Sequence, residues 1–180
     1  MSGTDLESLP KETLIKIIRM MARNWLTVDG LWFRGVEGKF GLAAAVELDV
    51  KMWEQQAIIE TKRIKETLGV KEKGIEGVLK ILEYMTSSYA YCFEYEEKSP
   101  DRVVIRYPHC IPQEARVRQG MGEFPCRPTG ETILKRIIEI IDPRVTFRCL
   151  ACPPGEHAAD FWCKWELTFP HTVEPATGMV

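Results

Sequence analysis

Apolar residues recur every three or four positions along the first half of the chain. Leu14, Ile17, Ile18, Met21 and Trp25 form the first such series. That spacing lines one face of a helix, and Pro10 suits a first helical turn, so a helix is expected to about residue 25. Thr27 or Asp29 can start another, with Leu31, Trp32, Phe33, Val36 and Phe40 on its apolar face. Gly41 should break or bend the chain. Residues 42–68 then run without proline or glycine and end at Gly69, which fits a helix closed by a left-handed cap. A polar link, Lys71-Glu72-Lys73-Gly74, leads to a helix near residues 75–87 built on Ile75, Val78, Leu79, Leu82 and Met85.

After Ser87-Ser88 the period changes from 3.6 to two. Residues 89–96 alternate aromatic with smaller or polar side chains and read as a strand, which a turn at 98–101 joins to a second strand over 102–107. Residues 108–128 hold four prolines and two glycines and read as a long loop. Thr129 can cap a helix over about 130–141, ended by Asp142-Pro143. Residues 145–150 and 161–169 then form a second apparent hairpin, in which Phe161, Cys163, Trp165, Leu167 and Phe169 share one face. The architecture that follows is α+β: a helical N-terminal half packed on an antiparallel sheet of about four strands with one inserted helix. It is expected as one domain over 1–180, with a helical part at 10–88, a sheet part bearing a Cys-rich hairpin at 89–169, and flexible tails at 1–9 and 170–180.

Composition narrows the partners more than it identifies them. With 45% hydrophobic residues, 180 residues suffice for a core without metal or disulfide staples. Twenty-four basic and 26 acidic residues give a net charge of −2, which argues against nucleic acid as a partner. No run of eighteen apolar residues is present to span a membrane, and the start does not resemble a signal peptide. A cytoplasmic protein is therefore expected, in which six cysteines are reduced thiols, packing residues or metal ligands rather than disulfides.

Cys149, Cys152, His157 and Cys163 fall within fifteen residues, between two strands. The first pair has C-x-x-C spacing, which lets two thiolates reach one ion when the backbone turns sharply, and Pro153-Pro154-Gly155 supplies a turn. Strand pairing could bring Cys163 across, and His157 could close a tetrahedral shell. His109, Cys110 and Cys126 are the other candidates for that fourth place. Zinc is the expected ion, with iron the other candidate. Packing explains the same cysteines without a metal, because free cysteine behaves as a small hydrophobe. Cys92 is read that way, in its strand. Redox chemistry is a third use of C-x-x-C, although here the motif follows a strand instead of opening a helix.

Carboxylates supply the second signal. Val46, Asp49, Trp53, Gln56, Glu60 and Arg63 follow one helical stripe, and Asp29, Phe33, Val36, Glu37 and Phe40 form another. A carboxylate held against aromatic rings gains a raised pKa, as a general acid or base requires, or binds a cationic group. Glu37, Asp49 and Glu60 are the candidate proton carriers, against the plainer reading that they face water or pair with arginine. Residues 10–88 contain no histidine, which excludes di-iron bundle chemistry.

Residues 29–41, Glu47-Leu48-Asp49, Trp53 and Lys62-Arg63-Ile64 together resemble an uncharacterised family of bacterial and archaeal cytosolic proteins. Cys126-Arg127-Pro128, Ile141-Asp142-Pro143-Arg144, the Cys149–Pro154 run and Trp162–Trp165 resemble the same group, so the likeness covers about residues 14–169. That family is distantly similar to the L-2-amino-thiazoline-4-carboxylate hydrolase family, and more weakly to small-molecule-binding domains of the vinyl-reductase type. The resemblance implies an α+β domain and hydrolysis of a small cyclic C–N bond.

Three functions are compatible with these residues. One is a metal-binding protein that also holds a small organic molecule between helices and sheet. Another is a hydrolase acting on a small cyclic or amide-like C–N bond. The last is a structural or interaction protein whose cysteines are only core. The exposed helical faces would allow a homodimer.

Overall fold

The computed structural model describes residues 5–170. Five helices and four strands follow in order: α1 (Lys11–Phe40), α2 (Leu42–Leu68), α3 (Gly74–Tyr84), β1 (Glu94–Lys98), β2 (Arg102–Tyr107), α4 (Ile111–Arg118), α5 (Arg127–Ile141), β3 (Thr146–Ala151) and β4 (Cys163–Thr168). The fold is the α+β arrangement that the periodicity predicts, with five helices packed on a four-stranded antiparallel sheet.

The boundaries differ in instructive ways. Residues 11–40 form one continuous helix rather than two, because neither Thr27 nor Asp29 leaves helical geometry and Gly30 meets no obstacle there. Gly41, at φ +86°, does the breaking, and α2 leaves it at once. Gly69 closes α2 in the left-handed conformation, as expected. Residues 86–89 make a short 3-10 turn, so β1 is reduced to Glu94–Lys98. Cys92 consequently lies outside the strand and exposed, not packed within it. The segment expected as a loop at 108–128 contains α4, so two helices, not one, are inserted between β2 and β3. Finally, α5 begins at Arg127 with Cys126 as its N-cap residue, three positions earlier than a Thr129 start implies, and Thr129 itself is turned to another purpose. The N-terminal tail is described only from residue 5, and His171 and the C-terminal tail after Pro170 lie outside the described residues.

The sheet runs β1-β2-β4-β3, every neighbour antiparallel. The central pair aligns Val103 with Leu167, Ile105 with Trp165 and Tyr107 with Cys163. Val103, Ile105, Trp165 and Leu167 are buried in one cluster with Val78, Ile81 and Leu82 of α3 and Leu134, Ile137 and Ile141 of α5. Burying such aliphatic side chains contributes on the order of 2 kcal/mol each and drives the docking of helices on this face. On the opposite face Glu166 is held by Arg102 at 2.8 Å and Arg148 at 2.9 Å.

Close packing leaves no room at two glycines. A Cβ on Gly77 would meet the Glu72 carbonyl at 2.4 Å and Ile141 at 2.7 Å, and one on Gly130 would meet the Trp165 ring at 2.6 Å. Helix α1 is attached more loosely, with only Ala22 and Leu26 buried along thirty residues. Ring contacts hold it, Trp25 against Trp53 at 5.2 Å and Phe33 against Phe124 at 5.0 Å. An ion pair adds to them: Arg116 of α4 donates to both oxygens of Glu37, at 2.6 and 3.0 Å. Because α1 does not press tightly on the layer below, space remains between them.

Candidate functional site

That space is a cavity of about 430 Å³ between α1, α2, α4, α5 and the sheet. Trp53, Leu82, Ile105, Ile133 and Trp165 give it apolar walls, while Asp29, Asp49, Tyr91 and Tyr107 add polar groups. Four thiols also reach it, those of Cys110, Cys126, Cys152 and Cys163. Largely apolar walls with a few convergent polar groups are the usual character of a small-molecule site.

Asp49 is the one predicted proton carrier that lines the cavity. It accepts a hydrogen bond from the Thr129 hydroxyl at 2.8 Å and another from the Trp53 indole one turn along α2. Burial outweighs both and lifts its pKa to about 6. Asp29, across from it on α1, has no hydrogen-bond or ion-pair partner among the described residues. Burial first, and then the negative charge of Asp49, raise it to about 7. Two carboxylates in this state share negative charge poorly and stay partly protonated at neutral pH.

Glu37 and Glu60 lie elsewhere. Glu37 is committed to Arg116, whose hydrogen bonds hold its pKa down and keep it an anion. Glu60 sits in a separate depression beside Gln56, Arg63 and Tyr89. It accepts from the backbone N–H and the hydroxyl of Thr86, both at 2.6 Å, and so fixes the start of the 3-10 turn.

The thiols assemble around Cys152 rather than around His157. Gly155 N–H donates to the Cys152 carbonyl at 3.0 Å, closing the expected turn. Beyond that turn, Cys152 Sγ lies 3.5 Å from Cys126 Sγ, and its thiol also engages Cys149 and Cys163. The residue that joins the hairpin cysteines is therefore Cys126, delivered by the start of α5. His157 is turned away: Nδ1 faces the Phe161 carbonyl at 2.9 Å and Nε2 faces Glu123 at 3.2 Å. Although burial pulls its pKa down, bonds to the Ala158 carbonyl and Glu123 dominate and raise it. In this orientation both ring nitrogens face oxygen atoms rather than the thiols. His109, exposed, faces Glu114 at 3.2 Å.

The described residues contain no group of three histidine, cysteine, aspartate or glutamate side chains already spaced to hold a metal ion. Electrostatics distinguishes the thiols from one another. The hydrogen bond with Cys152 lowers the pKa of Cys126, helped against burial by the Gln113 side chain and its own backbone N–H. Cys152 is raised, by its hydrogen bonds to Cys126 and Cys163 and by burial. Burial raises Cys110, Tyr91 and Tyr107 as well. Cys126 is the group best placed to be a thiolate.

Sequence spacing could not single out Tyr91 or Tyr107, which the 3-10 turn and the end of β2 bring to the cavity, while Cys110, one of the candidates for the fourth ligand, lines it as well. Asp29 carried a signal, its place on an apolar helical stripe, but nothing in the stripe separates it from Glu37. No helix among the described residues is long and apolar enough to cross a membrane. No curated protein and no solved structure matches the chain significantly. The model of the family of unknown function DUF6125 spans residues 7–169, from just before α1 to just after β4, and the chain belongs to that family.

Proposed function

We propose that the protein binds a small organic molecule in the cavity between the helices and the sheet. The observation that carries this reading is an apolar space of about 430 Å³ into which two partly protonated carboxylates and four thiols converge. Such polar groups are costly to bury without partners, and a ligand that pairs with Asp29 would offset that cost. Trp53 and Trp165 line the cavity and provide the readout. A fluorescent aromatic probe such as anilinonaphthalene sulfonate should quench them, and Ile133→Trp, which fills the space, should weaken binding at least tenfold with the circular dichroism unchanged. Equal binding by the filled variant would overturn the reading.

A second reading adds zinc, or iron, at the thiols. What favours it is the 3.5 Å separation of Cys126 and Cys152 sulfurs, close to the edge of ~3.8 Å expected for two thiolates bound tetrahedrally to one zinc. In that reading Cys126 takes the place of His157 beside Cys149, Cys152 and Cys163. Elemental analysis of protein purified without added metal is the test, and a substoichiometric content would remove it. Hydrolysis of a small cyclic or amide-like C–N bond is favoured by Asp49 alone, which titrates near neutrality inside the cavity. Asp49→Asn would then abolish turnover while the aromatic probe still binds.

A further inference from the structure

We propose that Cys126 and Cys152 are a thiol–disulfide exchange couple that reduces small organic disulfides taken into the cavity. The proposal rests on the cavity being a ligand site and names the class of molecule it acts on. Three observations support it independently of one another. The two sulfurs come from different elements, the start of α5 and the turn after β3, yet lie 3.5 Å apart. Both line the cavity, so a bound molecule can reach them. The pair is also asymmetric. Cys126 stands at the N-cap of a fifteen-residue helix, whose dipole favours a thiolate, while Cys152 lies in the turn after β3.

Asymmetry of this kind separates an attacking sulfur from a resolving one. Cys126 thiolate attacks one sulfur of the bound disulfide; a new S–S bond forms, the substrate S–S bond breaks, and the first half leaves as a thiolate. A protonated Asp49, close enough to influence the charge on Cys126, supplies that half with a proton. The Cys152 thiol then returns a proton to the carboxylate and attacks Cys126 Sγ. The mixed disulfide breaks, the second half leaves as a thiolate, and a Cys126–Cys152 disulfide remains. The protein dithiol loses two electrons and the substrate disulfide gains them. The C-x-x-C motif does not itself form the couple: Cys149 lies within β3, paired opposite Trp165, and only its second cysteine takes part.

The test uses the reduced full chain in a Cys92→Ser background, which removes the exposed thiol. Cystamine is the probe, because its ammonium groups suit a cavity bearing Asp29 and Asp49. One cystamine should be consumed per chain with release of two cysteamine molecules, and peptide mapping should find Cys126 joined to Cys152. Cys152→Ser should stop at a mixed disulfide on Cys126, and Cys126→Ser should leave cystamine intact. In a substitution-free arm, iodoacetamide should label Cys126 before Cys110, Cys149, Cys152 or Cys163.

Unreacted cystamine, a crosslink of Cys149 or Cys163 to Cys152, undiminished reaction in Cys126→Ser, or thiols shielded by a stoichiometric metal would overturn the proposal. Loss of exchange with aromatic-probe binding retained removes the chemistry alone. Loss of probe binding in the parent removes the ligand site beneath it.

Discussion

Asp29 concentrates the energetic tension of the site in one side chain. Its ordinary pKa is 3.8 and its folded value about 7. Between those values the native state holds a proton that the unfolded chain has lost. Stability from this group is therefore full below about pH 4 and falls as pH rises to 7. Asp29→Asn should remove that fall and stabilise the protein at pH 8 by on the order of 2 kcal/mol, allowing for partial exposure. Denaturant midpoints for both proteins at pH 4 and pH 8 would measure it; a parallel pH response would refute it. The helical stripes showed that Asp29 and Asp49 lie against aromatic residues. They could not show that Glu37 meets Arg116, because that arginine lies 79 positions away on a helix the prolines had concealed. Nor could they show that His157 faces Glu123, since that carboxylate was hidden in the same segment.

Among the elements, the contacts of α2 and α5 set the shape of the cavity. Gly130 lets α5 lie against Trp165, so Gly130→Ala should push the ring into the cavity, cost roughly 1–3 kcal/mol and weaken ligand binding together with thermal stability. Gly77→Ala meets a backbone carbonyl that cannot swing aside, and should lower stability by a similar amount without touching the ligand. Paired thermal melts and probe titrations distinguish the two. Glu60→Ala should cost about 2 kcal/mol by stranding the Thr86 N–H and hydroxyl, with aromatic-probe affinity preserved. Retained stability would show that the 3-10 turn holds without it. The long helix to Gly69 was legible because 27 residues run without proline or glycine, and the strand at 102–107 because β-branched residues follow a turn directly. Helix α4 was not, since it is only eight residues long and a proline stands in its first turn.

For the molecule as a whole, the fold class followed from the switch of period at the middle of the chain, whereas the site did not. The cavity exists because two inserted helices bridge from the sheet back to α1 and α2, a closure that no local pattern announces. Cys126 illustrates this: it sits in a proline- and glycine-rich segment, and the packing of α5 against the sheet, with Gly130 close to Trp165, brings it to Cys152. That contact, between residues 26 positions apart, also bears on thermal behaviour. Crosslinking the two sulfurs would close a ring containing all of α5 and remove about 3.5 kcal/mol of chain entropy from the unfolded state. The oxidised protein should then melt several degrees above the reduced one, so the melting temperature would report how much of the protein is oxidised.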